Sequence, residues 1–138
     1  MRTVNVSVAT VVVAGLVVTT AAVAGGGSSS KVAVTMKEWA TKPSPPTARA
    51  GKVTFAVKNN GHLLHEFIVV KTTLPASKLP VKGITANLSK VKVEGKVPSI
   101  KPGTSRTLSL TLPKGHYVLL CNLPAHYKSG QYASFSVS

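Results

Sequence analysis

The chain has 138 residues, which suits one domain with a single hydrophobic core. It carries 17 Lys and Arg against 3 acidic residues, none of them Asp, and its formal net charge is +14. This charge would suit a nucleic-acid binder, but the basic residues are spread singly, without a basic helix or an aromatic stacking motif. We therefore exclude nucleic acid. We expect either a solvated basic surface or one that attracts acidic redox partners or anionic lipid and wall polymers.

Residues 1–24 are predicted to be an export signal or an N-terminal anchor. Arg2 precedes an uncharged apolar run, residues 8–24, in which Ala22 and Ala24 frame a small-x-small cleavage site. The run is nearly long enough to span a bilayer, so cleavage and membrane anchoring both stay open. In either case the rest of the chain is expected in the periplasm, outside the cell or on the outer face of the membrane.

The residues that follow are predicted to form a linker and then short strands. Residues 25–30 contain only Gly and Ser and are predicted to be flexible, so the folded domain is expected to span 31–138. Prolines interrupt 42–46, and 72–88 is irregular with room for one short helix. Seven or eight short strands without a long helical pattern predict an all-β sandwich. In chain order, strands are predicted at 32–36, 52–58, 66–70, 91–97, 105–112, 116–120 and 131–137.

Four residues in this predicted sandwich form a donor set for one metal ion. Cys121 ends a predicted strand, and His126 and Gln131 follow it at intervals of five residues. His65 lies in an earlier loop between two strands. A thiolate, two imidazoles and a weak fourth donor are the ligands of a mononuclear copper electron-transfer site. We predict one copper ion, cycling between Cu(I) and Cu(II), with Gln131 in the weak axial position.

The order and spacing of several motifs resemble the cupredoxin family, which includes plastocyanin and azurin. The motifs are Asn59 to Gly61 followed by His65 to Phe67, Lys101 to Gly103, Leu112 to Tyr117, and Cys121 to Gly130. The resemblance covers roughly residues 31–138 and implies a Greek-key β-sandwich with a type 1 copper ion at one end. It also implies electron transfer outside the cytoplasm. By match to the family motif, His65, Cys121 and His126 are the expected equatorial ligands. Separately, the Leu64 carbonyl is expected as an opposite axial contact.

Two residues depart from the family pattern. Gln131 stands where the family usually has Met, and the spacing Cys-x4-His-x4-Gln is similar to that of stellacyanins. An amide oxygen favours Cu(II) more than a thioether does, so the reduction potential is expected to be lower. Glu66 stands where many members have Asn. Its carboxylate is expected to accept a backbone N–H beside Cys121, or otherwise to point to solvent.

The loops that carry the ligands are expected to form a docking surface for redox partners. The predicted apolar patch consists of Leu63, Leu64, Leu123, Pro124, Ala125 and Tyr127. Lys128 and other lysines are expected to steer an acidic partner to it. His62 and His116 are expected not to bind the metal, because the donor set is complete without them. Met36 and Trp39 are expected in or near the core.

A monomeric one-electron carrier that is not an enzyme is the leading prediction. A copper-delivery protein would use the same ligands, but such sites are often rich in Met, and this chain has only Met1 and Met36. An enzyme with a Cys–His nucleophile pair would lack an Asp to orient its base. A metal-free binding sandwich stays open because Gln131 departs from the family pattern.

Overall fold

The computed structural model describes residues 27–138, so the predicted signal or anchor, 1–24, lies outside the described residues. Within 27–138 the chain forms eleven strands and three short 3-10 helices, Ala76–Lys78, Leu88–Lys90 and Tyr127–Ser129. No helix in this part of the chain is both long and apolar enough to cross a bilayer. The strands are β1 Ser29–Lys37, β2 Ala40–Ser44, β3 Thr47–Ala48, β4 Gly51–Asn59, β5 His65–Lys71, β6 Val81–Lys82, β7 Thr85–Ala86, β8 Lys92–Ile100, β9 Ser105–Leu112, β10 Gly115–Leu120 and β11 Tyr132–Val137.

The longer strands form two sheets that face each other. One sheet has the order β2-β1-β4-β9 and the other has the order β3-β11-β10-β5-β8. Most neighbours are antiparallel, while β1 runs parallel to β4 and β3 runs parallel to β11. The architecture is a β-sandwich, as predicted, and the eight strands of five or more residues match the expected number.

The core fills the space between the two sheets, because side chains alternate along each strand. In β4, Val53, Phe55 and Val57 are fully buried, whereas Lys52 and Lys58 are exposed. The Phe55 ring lies 5.3 Å from the rings of both Phe67 and Phe135, with distances measured between centroids. These aromatic contacts tie β4 to β5 and β11 and hold the sheets in a fixed relation.

A second apolar cluster covers the outer face of β5 and β10. Ile68 and Val70 of β5 contact the segment between β5 and β8, which contributes Ala76 and Leu79. Every residue of β5 from His65 to Val70 is therefore buried. This two-sided burial explains why β5 has a continuous apolar sequence where other strands alternate.

Two strands and one side chain differ from the sequence prediction. β1 begins at Ser29, so the last two residues of the predicted linker pair with Lys52 and Val53 of β4. β2 occupies residues that the prolines were expected to interrupt. It lies at the edge of its sheet, where Pro43 needs no further partner. The expectation for Trp39 was wrong, since its side chain is 43% exposed, while Met36 is fully buried in the core as expected.

Candidate metal centre

Three neighbouring strands bring the predicted donors to one end of the sandwich. β11, β10 and β5 are adjacent and antiparallel, so β10 ends where β5 and β11 begin. His65 is the first residue of β5, Cys121 follows the last residue of β10, and Gln131 precedes β11. The backbone N–H of Cys121 donates to the carbonyl of Gln131 over 3.1 Å, which closes the loop that carries His126.

The His65, Cys121 and His126 side chains form a compact buried group. Their potential ligand atoms all lie within 4.8 Å of one another. Nδ1 of His126 is 3.3 Å from Cys121 Sγ and 3.3 Å from Nδ1 of His65. His65 and Cys121 are fully buried and His126 is 9% exposed. Three soft or borderline donors at this spacing suit one shared transition-metal ion, and His62 and His116 are not part of the group.

Gln131 provides a fourth donor beside this group. Its side chain is fully buried, and its Nε2 lies 3.0 Å from Nδ1 of His65. Its Oε1 has no hydrogen-bond partner among the described residues. A buried amide oxygen without a partner costs free energy, so its presence here needs an explanation. The amide presents Nε2 to His65 Nδ1, so a half-turn of the amide would bring Oε1 toward the three donors, where a metal ion would supply the missing partner.

Glu38, at the turn between β1 and β2, contacts the His65 imidazole from the opposite side. Its Oε1 lies 3.0 Å from His65 Nε2 and accepts hydrogen bonds from the backbone N–H groups of Leu63 and His62 at 2.8 and 3.1 Å. These backbone donors, Leu63 first, lower the pKa of Glu38 to about 2 and keep it ionised. An ionised carboxylate at Nε2 holds the proton there and leaves the Nδ1 lone pair facing Cys121 and His126.

Asn59 fixes the loop between β4 and β5. Its buried Nδ2 donates to the carbonyls of Leu63 and Ile100, each over 2.8 Å, and its Oδ1 accepts the N–H of Gly61. From the sequence, Asn59 was identified only as the start of a family motif, and no role was predicted for Glu38. A signal for Glu38 was available, because it is one of only three acidic residues in a very basic chain.

Glu66 connects the two ligand loops through the backbone. The N–H of Asn122 donates to Glu66 Oε1 over 3.2 Å, and the N–H of Glu66 donates to Cys121 Sγ over 3.3 Å. Glu66 Oε2 lies 2.7 Å from Lys96 Nζ, so its charge is paired. The side chain is 8% exposed and does not point to solvent.

The apolar surface near His126 differs in membership from the predicted patch. Leu63, Leu64, Pro124 and Ala125 are exposed, and Leu123 packs partly against the core. Tyr127 does not belong to this surface: it is 3% exposed. Its hydroxyl donates to the Ala76 carbonyl and accepts the N–H of Leu79, so it fixes the segment that covers β5.

Two exposed residues that the prediction did not include lie beside the ligand loop. Trp39 packs edge-on against the His126 ring. The carbonyl of Ile84, whose side chain is 53% exposed, accepts the N–H of Ala125 over 3.1 Å. We call Trp39, Leu63, Leu64, Ile84, Pro124 and Ala125 the apolar rim.

Burial determines the protonation of Cys121 and His65 when no ion is bound. Desolvation raises the pKa of the Cys121 thiol and lowers the pKa of the His65 imidazole. Both groups are therefore neutral at neutral pH. A neutral imidazole and a thiol that loses its proton to a metal are the states from which such sites form.

No family model matches the chain, and no curated protein is significantly similar to it in sequence. Solved structures share its fold. Na-dithionite reduced auracyanin from the photosynthetic bacterium Roseiflexus castenholzii is 23% identical with a TM-score of 0.61, over 81% of this chain and 99% of that chain. An azurin from the obligate methylotroph Methylomonas sp. strain J is 17% identical with a TM-score of 0.58, over 79% and 98%. Auracyanin A, a "blue" copper protein from Chloroflexus aurantiacus, is 20% identical with a TM-score of 0.57, over 80% and 99%.

These neighbours define the class of fold. The chain has the cupredoxin β-sandwich, as the resemblance implied. At one end of that sandwich, the group of His65, Cys121 and His126 fits one type 1 copper ion by donor type and spacing.

Proposed function

We propose that this protein binds one copper ion and carries single electrons between redox partners. His65, Cys121 and His126 hold the ion, and Gln131 Oε1 is the axial donor. The main support for this proposal is one arrangement of side chains. Three buried donors lie within 4.8 Å of one another, beside the buried Gln131 amide, whose oxygen has no partner in the described chain. When bound, copper supplies the one-electron redox chemistry.

The residues around the site support a carrier because they restrict movement of the ligands. Asn59, Glu38 and Glu66 each make hydrogen bonds to the backbone of a ligand loop. A ligand set that stays in place needs little rearrangement when the charge of the ion changes. A small rearrangement favours fast electron transfer, and the burial of the donors disfavours the ready metal exchange that a delivery protein requires.

The other functions considered have less support. A Cys–His nucleophile pair would show the contact seen between Cys121 Sγ and His126 Nδ1. However, Cys121 is fully buried and desolvation raises its pKa, whereas reactive thiols are accessible and have a lowered pKa. A metal-free binding module would leave Gln131 Oε1 buried without a partner. We therefore favour an electron carrier over an enzyme or a metal-free module.

Partners are proposed to dock at the apolar rim. Electrons would enter and leave through His126, the least buried of the three ligands. Each of the three Glu side chains has a partner within the fold: Glu66 and Glu94 form salt bridges with Lys96 and Lys92, and Glu38 contacts the neutral His65 imidazole. The net charge of +14 should favour partners with acidic surfaces.

We further propose that the protein is monomeric and exported, either released or held at the outer face of a membrane by residues 8–24.

Addition of Cu(II) to the purified protein, followed by visible spectroscopy, tests the proposal. We expect an intense thiolate-to-copper band that disappears in Cys121→Ser and is bleached reversibly by a one-electron reductant. Lys114→Ser, a change on the exposed turn before β10, is the matched control and should keep the band. Absence of the band in the wild-type protein would contradict copper binding. A band that does not bleach reversibly would contradict the carrier function.

A further inference from the structure

The Glu38 carboxylate connects the turn after β1, in one sheet, to a predicted ligand in the other sheet. β1 ends at Lys37 in one sheet, and His65 begins β5 in the other. Glu38 crosses between them and places one oxygen 3.0 Å from His65 Nε2. The same carboxylate accepts the N–H groups of His62 and Leu63, the residues that lead into His65.

We propose that Glu38 is a positioning residue of the copper site, which fixes the tautomer of His65 and strengthens its Nδ1 as a donor to Cu(II). This inference rests on the proposed copper site. A hydrogen bond from Nε2 to an anionic oxygen increases electron density on the imidazole, and partners of this kind orient metal ligands in proteins. The carboxylate also adds a negative charge near the ion, which favours Cu(II) over Cu(I).

Gly61 provides independent support for this role. A methyl group in place of its hydrogen would collide with both carboxylate oxygens of Glu38. Gly61 is not among the glycines with a positive φ, so its backbone conformation does not itself require glycine. Glycine at position 61 therefore leaves the space that the Glu38 carboxylate occupies.

Glu38 is also charged and only partly exposed. Its side chain is 22% exposed, and its Oε1 accepts hydrogen bonds from two backbone N–H groups besides contacting His65. A surface carboxylate with only a structural role would need the loop contacts but not the contact with the imidazole. The contact to Nε2 connects Glu38 to the electronic properties of the site.

Glu38→Gln and Glu38→Ala separate charge from hydrogen bonding. Gln keeps an acceptor oxygen but removes the negative charge, whereas Ala removes both. We expect Glu38→Gln to raise the reduction potential and to weaken Cu(II) binding, measured by competition with a chelator. Loss of a partner of this kind typically weakens metal binding about 10–100-fold. Glu94→Gln is the matched control, because Glu94 is partly buried and pairs with Lys92 rather than with a ligand loop.

Gly61→Ala displaces the carboxylate without changing it. We expect it to weaken Cu(II) binding and raise the potential in the wild-type background, and to have little effect when Glu38 is already Ala. A double-mutant cycle measures this coupling. Nitrogen NMR of the metal-free wild-type protein gives a separate readout and should show His65 protonated at Nε2. Unfolding followed by circular dichroism checks that each variant is folded.

Different results would contradict this inference and the proposed function. If the wild-type protein forms the thiolate-copper band but Glu38→Gln changes affinity and potential no more than Glu94→Gln, Glu38 has no such role. A His65 ring protonated at Nδ1 in the metal-free protein would also overturn it. If the wild-type protein forms no band, the copper site itself is wrong, and this inference fails with it.

Discussion

The Trp39 ring meets the His126 ring edge to face, with 4.9 Å between centroids and 79° between planes. Trp39 is the only tryptophan of the chain, so its fluorescence reports on one place next to one proposed ligand. We expect Cu(II) to quench this emission strongly, since an open-shell ion at such short range accepts energy or an electron from the excited indole. A fluorescence titration measures the effect, and removal of copper should restore the emission.

Gln131→Met should raise the reduction potential, because a thioether stabilises Cu(II) less than an amide oxygen does. Gln131→Leu, which offers no donor atom, is the companion variant and should also raise it. Voltammetry of the three proteins, each checked for the thiolate-copper band, gives the comparison. Equal potentials in all three would mean that Gln131 Oε1 is not a ligand, despite having no other partner among residues 27–138.

Much of the fold followed from local patterns. The period-two alternation of 52–58 predicted β4, and the continuous apolar run after His65 predicted β5. The proximity of Cys121 to Gln131 was also predictable, because one short loop joins two neighbouring antiparallel strands. The proximity of His65 to these residues was not predictable from a local pattern, because β5 becomes a neighbour of β10 only in the folded sheet. His65 was predicted as a ligand from its donor type and from the family resemblance.

The contacts of Glu38 and Trp39 were not predictable in the same way. Both residues lie at the turn between β1 and β2, and their partners His65 and His126 are remote in sequence. No local period or turn signal encodes a contact between sheets. Tyr127 was misplaced for a related reason: its sequence position beside His126 suggested the surface, while its hydroxyl finds partners in the segment that covers β5.

Copper uptake should depend on pH with a definite sign. Burial raises the pKa of the Cys121 thiol, so binding of Cu(II) must release its proton. Because burial lowers the pKa of His65 from 6.5, its imidazole adds no further proton above that pH. The Cys121 thiol should therefore contribute a rise in affinity of about tenfold for each pH unit below its pKa. Competition titrations at several pH values measure this slope, and an affinity independent of pH would contradict a thiol that is neutral before binding.

Asn59→Ala should destabilise the metal-free protein by about 3 kcal/mol, since it leaves two carbonyls and one N–H without their partner. Asn60→Ala is the matched control. Asn60 is the next residue and its side chain is exposed, so the change should stay within about 0.5 kcal/mol of wild type. Denaturant unfolding followed by circular dichroism measures both variants. Equal stabilities would show that the Asn59 side chain does not hold the loop before His65, and the rigidity proposed for the ligand set would then lack one of its three supports.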